Sequence, residues 1–278
     1  MNQIKMIALD LDGTLFNDEK RISRRNRDTI KRAIEQGVVV LPCTGRHLEG
    51  LPEELKKIPG MKYAATSNGA AVFDLETRQL LVKDCLPGAQ AVEIVATLKK
   101  EGAIPEIYMG GVCYAEAATH RDIFDFDIPQ VIKDYVRISR HLVDDLPQFM
   151  MACGEGVEKI HCMFDRRRPE TRQHAFEVMK HFDHVDVSAA FDYNLEVTTE
   201  TINKGQALID LGKLLGIKRE EIMACGDGGN DYKMLQAVGF AVAMDNASDE
   251  IKAIADYVTL SNNDDGVAYA IEKFVLDQ

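Results

Sequence analysis

The sequence is short of several signals that would settle its class at once. No two of its six cysteines form a CxxC pair. Cys43, Cys85, Cys113, Cys153, Cys162 and Cys225 therefore read as free thiols of a reducing compartment. Cys43 and Cys225 sit in apolar strands, where cysteine packs as a small hydrophobe. No stretch of about 18 uninterrupted apolar residues exists, so no membrane span is expected. The N-terminus lacks the apolar core of a secretory signal, and a cytoplasmic protein is the expectation. Basic charge is also in deficit: the formal net charge is −12. That argues against nucleic-acid binding, which needs a basic face. It says little about a small anionic substrate, because one metal ion can reverse the local field. There is no GxxxxGK[ST] phosphate loop, no internal repeat and no low-complexity segment. Nothing calls for an obligate protein partner.

What is present is 278 residues with a hydrophobic fraction of 46%. This is enough for one large or two modest domains with a packed core. The chain opens on an apolar run, Met6-Ile7-Ala8-Leu9, which reads as a buried parallel strand. It stops at Asp10-Leu11-Asp12-Gly13-Thr14. Strand alternation would put Asp10 and Asp12 on one side, where two carboxylates repel unless a positive charge sits between them. Taken alone, the pair could equally be turn residues or helix caps.

A β-α-β rhythm follows. Ser23 caps a helix that runs to about Gln36 and ends at Gly37. Residues 38–43 form a second apolar strand, ending in Thr44-Gly45-Arg46. A helical stretch to about Ile58, interrupted at Pro52, comes next. Tyr63–Thr66 is a short strand, Ser67–Ala70 a turn, and residues 71–84 a hairpin. The rhythm then changes. A helix at 88–101 precedes a hairpin about Gly110-Gly111, and 120–155 reads as irregular, with Pro129 and Pro147 as breakers. Strands at 159–164, 185–189 and 195–198 surround a helix at 169–181. Hairpins mixed with helices indicate a separate α+β domain inserted into the first. The original pattern resumes at Lys204 with a helix to Leu215, the strand Ile222–Cys225, and then Gly226-Asp227-Gly228-Gly229-Asn230-Asp231. Helices at 232–238, 248–255 and 265–276 alternate with strands at 240–244 and 257–259.

Three apolar strands thus stop at polar clusters: Asp10/Asp12, Thr44/Gly45 and Asp227/Asn230/Asp231. In an open parallel sheet the strand C-termini share one edge, and ligands bind there. Lys204, at a helix N-terminus, adds a full positive charge to a place that already favours an anion. The parts suit phosphoryl transfer. Asp10 and Asp227 could ligate Mg²⁺, with backbone oxygen and water completing the shell. The Thr44 hydroxyl, the Gly45 amide, Lys204 and the Asn230 side chain are candidate phosphate holders. The Asp10 carboxylate can serve as nucleophile, and Asp12 as general acid and then base.

These residues carry a resemblance. Asp10-Leu11-Asp12-Gly13-Thr14-Leu15, Thr44-Gly45-Arg46, Lys204-Gly205 and Gly226 to Asp231 with Met234-Leu235 are similar to the four ordered motifs of haloacid dehalogenase-like (HAD) hydrolases. Ala243-Met244-Asp245-Asn246-Ala247 and Asp265-Gly266-Val267 resemble the Cof-type sugar-phosphatase branch, although Asp245 stands where that family often has glycine. The resemblance implies an α/β fold: a Rossmann-like parallel-sheet core over 1–84 and 199–278, and an inserted α+β cap of the C2B (type IIB) class over 85–198. It implies a Mg²⁺-dependent phosphatase of small phosphorylated metabolites, sugar phosphates in particular, working through an aspartyl-phosphate on Asp10. It further implies that the residue at Asp12 lends the metal its backbone carbonyl, that the Leu11 amide touches phosphate, and that Asp231 supports the metal shell indirectly. An insert of about 110 residues could close over a small substrate and exclude water.

Two other classes compete with this reading. A phosphomutase would use the same aspartyl-phosphate, and a phosphate-sensing module would cluster Asp, Thr and Lys without catalysis. A dinucleotide loop at Gly226-x-Gly228 is rejected, because the third glycine is missing and an acid stands where pyrophosphate would lie. Arg46 and His47 either line the substrate side or are structural. His161 reads as packed, His181 and His184 as solvated, and His120 and Arg121 as candidates for substrate selection.

Overall fold

A computed structural model describes residues 3–189 and 191–277. The chain divides into two compact units. One comprises Met1–Arg46, Leu51–Lys83 and Asn203–Gln278; the other comprises His47–Gly50 and Asp84–Ile202. In chain order the strands are β1 (Met6–Leu9), β2 (Val39–Pro42), β3 (Tyr63–Thr66), β4 (Ala71–Asp74), β5 (Leu80–Lys83), β6 (Ile104–Met109), β7 (Val112–Glu116), β8 (His141–Val143), β9 (Lys159–Met163), β10 (Val185–Ser188), β11 (Asn194–Thr199), β12 (Ile222–Gly226), β13 (Phe240–Ala243) and β14 (Tyr257–Val258).

The first unit is built on a five-stranded sheet in the order β14-β13-β12-β1-β2. Its strand pairs are parallel. Every residue of β1 is buried, as expected of a strand covered on both faces. On one face, Met6, Ala8, Leu41 and Ala224 pack with Ala207, Leu208 and Leu211 of the helix Lys204–Leu215. That helix starts where the sequence signals a start. The Asn203 side chain accepts from the Gln206 amide, and Gly216, at φ 70°, ends it. Ser23 caps the helix Arg24–Glu35 in the same way, accepting from Asn26. The antiparallel sheet β3-β4-β5 adjoins the parallel one through a bridge between Cys43 and Ala65.

Register explains why the polar clusters meet. Leu9 pairs with Cys225 on one side and with Pro42 on the other. The residues that follow these three therefore emerge together at the C-terminal edge of adjacent strands. Alternation does not govern Asp10 and Asp12, however. β1 ends at Leu9, and the Leu11 carbonyl accepts from Thr14 and Phe16 amides in a tight turn.

The second unit holds a six-stranded sheet in the order β10-β11-β9-β6-β7-β8. Its pairs are antiparallel except β7 with β8. One face buries Ile107, Ile160, Cys162, Leu195 and Val197 beneath Ala91, Ile94, Val95 and Leu98 of the helix Gly88–Lys100. The alternate positions are polar: Glu106 is opposite His161, which is opposite Glu196. Glu106 is fully buried and accepts from Arg140 Nε at 3.0 Å and Nη2 at 2.7 Å. Lys159, also buried, donates to Glu196 at 2.9 Å.

Three stretches differ from the sequence reading. Residues 120–155 are not irregular. They contain the helices Gln130–Ser139 and Leu146–Cys153, with β8 between them. Pro129 stands at the N-cap of the first helix and Pro147 lies in the first turn of the second, so both prolines start helices rather than break them. Asp145 caps the second helix, and Gly154, at φ 66°, ends it. The helix expected before Pro52 does not form; only Glu53–Lys56 is helical. Instead His47 Nδ1 accepts from the Gly50 amide at 3.1 Å, and the Glu49 amide donates to the Gly111 carbonyl at 3.0 Å. The C-terminal helix is regular only over Gly266–Ile271 and continues as a wide turn over Glu272–Leu276. The six cysteines are free thiols. Among the described residues, no helix is long and apolar enough to cross a membrane.

Candidate active site

The C-terminal edge of the parallel sheet carries a compact group of buried charges. Asp10 directly follows β1, and its amide donates to the Cys225 carbonyl of the neighbouring strand at 3.0 Å. Asp227 directly follows β12. Lys204 is the first residue of its helix, and its side chain is fully buried. Lys204 Nζ donates to Asp10 Oδ1 at 2.5 Å and to Asp231 Oδ1 at 2.7 Å. The other oxygen of Asp231 accepts from the Asp227 and Gly228 amides, each at 3.0 Å, and so fixes the loop that presents Asp227. Thr14 donates to Asp227 Oδ1 at 2.6 Å. Carboxylate oxygens of Asp10, Asp227 and Asp231 lie within 4.8 Å of one another.

Asp10 and Asp231 share one ammonium with Asp227 close by, and the electrostatics follow from that. Burial, reinforced by Asp231 and opposed by Lys204, pushes the Asp10 carboxyl up to about 8. Burial also raises Asp227, against the hydrogen bond from Thr14. Burial alone would lower Lys204, but Asp10 and Asp231 outweigh it and keep the ammonium charged. The pocket carries surplus negative charge on hard oxygen donors. This donor set fits a divalent cation such as Mg²⁺.

Glycine is required at one point of this edge. Gly13 has φ 90°, and a Cβ there would lie 2.3 Å from Asp227 Oδ2. The Asn246 amide group donates to the Gly13 carbonyl at 2.8 Å and holds the turn from the other side.

Asp12 has different partners from Asp10. Its carboxylate accepts from Arg46 Nε at 3.1 Å, from Arg46 Nη2 at 3.0 Å and from Lys20 Nζ at 2.9 Å. Burial would raise this carboxyl, but Arg46 and then Lys20 hold it below the ordinary carboxylate range. Thr44 is buried, and its hydroxyl accepts from the Arg46 amide at 3.3 Å. The Thr44 amide donates to the Ala65 carbonyl and its carbonyl accepts from the Asn68 amide, both at 3.0 Å, so this loop is held by the neighbouring sheet. Gly45 is half-buried, Leu11 is buried and Asn230 is exposed.

The structure therefore brings Asp10, Asp231 and Lys204 into direct contact, with the Asp227 carboxylate within 4.8 Å of the other two acids and Asp12 engaged by a separate pair of cations. Sequence reasoning overlooked Thr14 and Lys20. Thr14 was visible as the hydroxyl residue beside the glycine turn. Lys20 carried no signal, because its role depends on how residues 17–21 fold. His161 is packed as expected, with Nδ1 3.2 Å from Glu106 Oε2, while His181 and His184 are exposed. His120 is buried against Phe124, and Arg121 is exposed beside Asp122.

A parallel sheet with a charged pocket at its C-terminal edge defines an α/β enzyme, and a second sheet-bearing unit narrows the class. The family follows from comparison: residues 7–271 match the haloacid dehalogenase-like hydrolases, and the chain belongs to that family. The 5-amino-6-(5-phospho-D-ribitylamino)uracil phosphatase YcsE of Bacillus subtilis is 30% identical, over 98% of this chain and 96% of the relative. A haloacid dehalogenase-like hydrolase from Bacteroides thetaiotaomicron superposes with a TM-score of 0.81 at 28% identity, covering 98% of this chain and 99% of the other. The HAD subclass IIB sugar phosphatase BT4131 shares the fold, with a TM-score of 0.76 at 23% identity over 97% and 98% of the two chains. The fold is thus a HAD parallel-sheet core with a separate sheet-containing cap, and the protein is a phosphatase of that family.

Proposed function

We propose that this phosphatase hydrolyses small phosphorylated metabolites, sugar phosphates in particular, with Mg²⁺ as cofactor and an aspartyl-phosphate on Asp10 as intermediate. The catalytic core is assigned to 1–84 and 199–278 and the cap to 85–198, in a cytoplasmic protein. The observation that carries the reading is the buried group of Asp10, Lys204, Asp231 and Asp227, in which a nucleophilic carboxylate touches an ammonium within reach of two further acids. The name of YcsE, which acts on a phosphorylated ribityl chain, supports a phosphorylated polyol or sugar as substrate class.

Mg²⁺ would be held by the Asp10 and Asp227 carboxylates and the Asp12 backbone carbonyl, and when bound it supplies positive charge opposite the phosphoryl group. The chain's own residues do the rest. An Asp10 carboxylate oxygen attacks phosphorus as the ester P–O bond breaks, and Asp12 gives its proton to the departing alkoxide. Asp12 then takes a proton from water, the water oxygen attacks the aspartyl-phosphate, and inorganic phosphate leaves with Asp10 regenerated. Lys204, the Thr44 hydroxyl, the Gly45 and Leu11 amides and Asn230 bind the phosphoryl oxygens. Asp231 holds Lys204 and the Asp227 loop in place.

The test is phosphate release from a panel of phosphorylated metabolites, with p-nitrophenyl phosphate as reporter. Asp10→Asn and Asp12→Ala should abolish turnover with the circular dichroism spectrum unchanged. EDTA should stop the wild-type enzyme and Mg²⁺ restore it. Full activity in Asp10→Asn would remove the covalent mechanism, and indifference to EDTA would remove the metal.

A further inference from the structure

Thr14 belongs to the tight turn that follows β1 and is completely buried. Its amide donates to the Leu11 carbonyl at 3.3 Å, and the next amide, that of Leu15, donates to the Asp10 carbonyl at 3.2 Å. Its hydroxyl reaches out of the turn and donates to Asp227 Oδ1 at 2.6 Å, across 213 positions of sequence. That length is characteristic of a hydroxyl bonded to an ionised carboxylate, a stronger bond than one between neutral groups. A buried threonine that needed only a partner could take a carbonyl of its own turn. The Asp227 carboxylate is thus held from several directions. Asp231 fixes the Asp227 amide at 3.0 Å, and Thr14 engages Oδ1. Oδ2 lies where a side chain at Gly13 would stand, and among the described residues it accepts no hydrogen bond. One oxygen is engaged inside the protein and the other is open. A β-branched side chain has few rotamers to choose from, so the hydroxyl on this closed turn does not readily leave its partner.

This asymmetry bears on which cation fits. Ca²⁺ takes more oxygens in looser geometry, often both oxygens of one carboxylate, whereas Mg²⁺ keeps a small octahedral shell. A carboxylate with Oδ1 already engaged offers a single oxygen, which suits the smaller ion. We infer that Thr14 is a positioning residue for the cation site: by engaging Asp227 Oδ1 it presents Oδ2 alone, and so favours Mg²⁺ over Ca²⁺. The inference rests on the proposed role of Asp227 as a metal ligand. Its physical basis is that a group hydrogen-bonded to a metal ligand sets the ligand's orientation and the affinity of the site.

Thermal unfolding of the full chain, titrated with Mg²⁺ or with Ca²⁺ in the absence of substrate, reads each affinity from the rise in Tm. Thr14→Val keeps the shape of the side chain and removes the hydroxyl. It should weaken Mg²⁺ binding about tenfold or more, within the range seen when the partner of a metal ligand is lost. Ca²⁺ binding should weaken less than about threefold, because Asp227 can then offer both oxygens. The preference between the two ions therefore moves toward Ca²⁺, and Thr14→Ser, which keeps the hydroxyl, should restore most of it. Thr14→Ala carries the same test if Thr14→Val does not fold. Equal weakening of both ions would overturn the inference, because it would mark Thr14 as a purely structural residue. Unchanged Mg²⁺ affinity would overturn it as well. Failure of the wild-type protein to bind Mg²⁺ is a distinct outcome, which strikes the proposed cofactor and the inference with it.

Discussion

Replacing Lys204 by methionine removes the one ammonium that Asp10 and Asp231 share, while nearly conserving volume. The magnitude can be worked from the contacts. The ammonium lies 2.5 Å and 2.7 Å from the two carboxylates, and its side chain is fully buried. At an effective dielectric of about 20, each such attraction is on the order of 4 kcal/mol or more. Desolvation of several kcal/mol per ion offsets much of this while the pair is intact. Once Lys204 is gone, the desolvation cost of the carboxylates remains without its compensation. The expected net loss is about 3–5 kcal/mol, or on the order of ten degrees in Tm. Thermal unfolding followed by circular dichroism at pH 9 without divalent cation measures it, because Asp10, pushed up to about 8, is ionised there in the wild type. At pH 5 the loss should shrink, because Asp10 is protonated in both proteins and only Asp231 loses its partner. Adding Asp10→Asn to Lys204→Met should recover stability at pH 9 for the same reason. An equal loss at pH 5 and pH 9, with no recovery in the double variant, would refute the electrostatic account and point to lost packing.

Two further perturbations test the same edge of the sheet. Gly13→Ala would force a Cβ to 2.3 Å from Asp227 Oδ2 at φ 90°, so Asp227 must move; phosphate release should fall about a hundredfold, the scale expected for an ångström of misplacement, and wild-type kcat in this variant would contradict the geometry. The second is the pH dependence of stability in the metal-free protein. Asp10 is raised from 3.8 to about 8 in the folded state, and Asp227 moves in the same direction. The folded protein therefore binds protons more tightly than the unfolded chain between these values. Stability from these groups is full below about pH 4 and is lost as pH rises toward about 8. Urea titrations at half-unit intervals should show this decline, and Mg²⁺ should flatten it; a rise across the same window would reverse the assigned sign.

How far the chain could be read depended on whether a residue's partners were close in sequence or fixed by strand register. The core was legible because Met6–Leu9, Val39–Pro42 and Ile222–Gly226 are apolar runs that end in polar clusters, and parallel register then brings the ends together. The helix at Lys204 was legible from Asn203 at its start and Gly216 at its end. The stretch 120–155 was not, because Pro129 and Pro147 carry the same local meaning at a helix start as at a loop. Only tertiary burial of residues such as Val136, Leu146 and Met150 decides between them.

Charged residues were the hardest to place, and for one physical reason. Glu106 and Lys159 sit in strands where a lone charge reads as solvent-facing, yet Glu106 is fully buried and Lys159 is 1% exposed. Their compensation comes from Arg140, which is 34 positions away, and from Glu196, 37 positions away. No periodicity reports such distant pairing. The same holds for Lys20 and Arg46 on Asp12, separated from it by 8 and 34 positions. A buried or chelated charge is defined by its partner, so its role follows from the fold and not from its neighbours in the chain. Lys204 was the exception because two independent local signals, a helix start and three strand ends at one sheet edge, converge on the place its ammonium occupies.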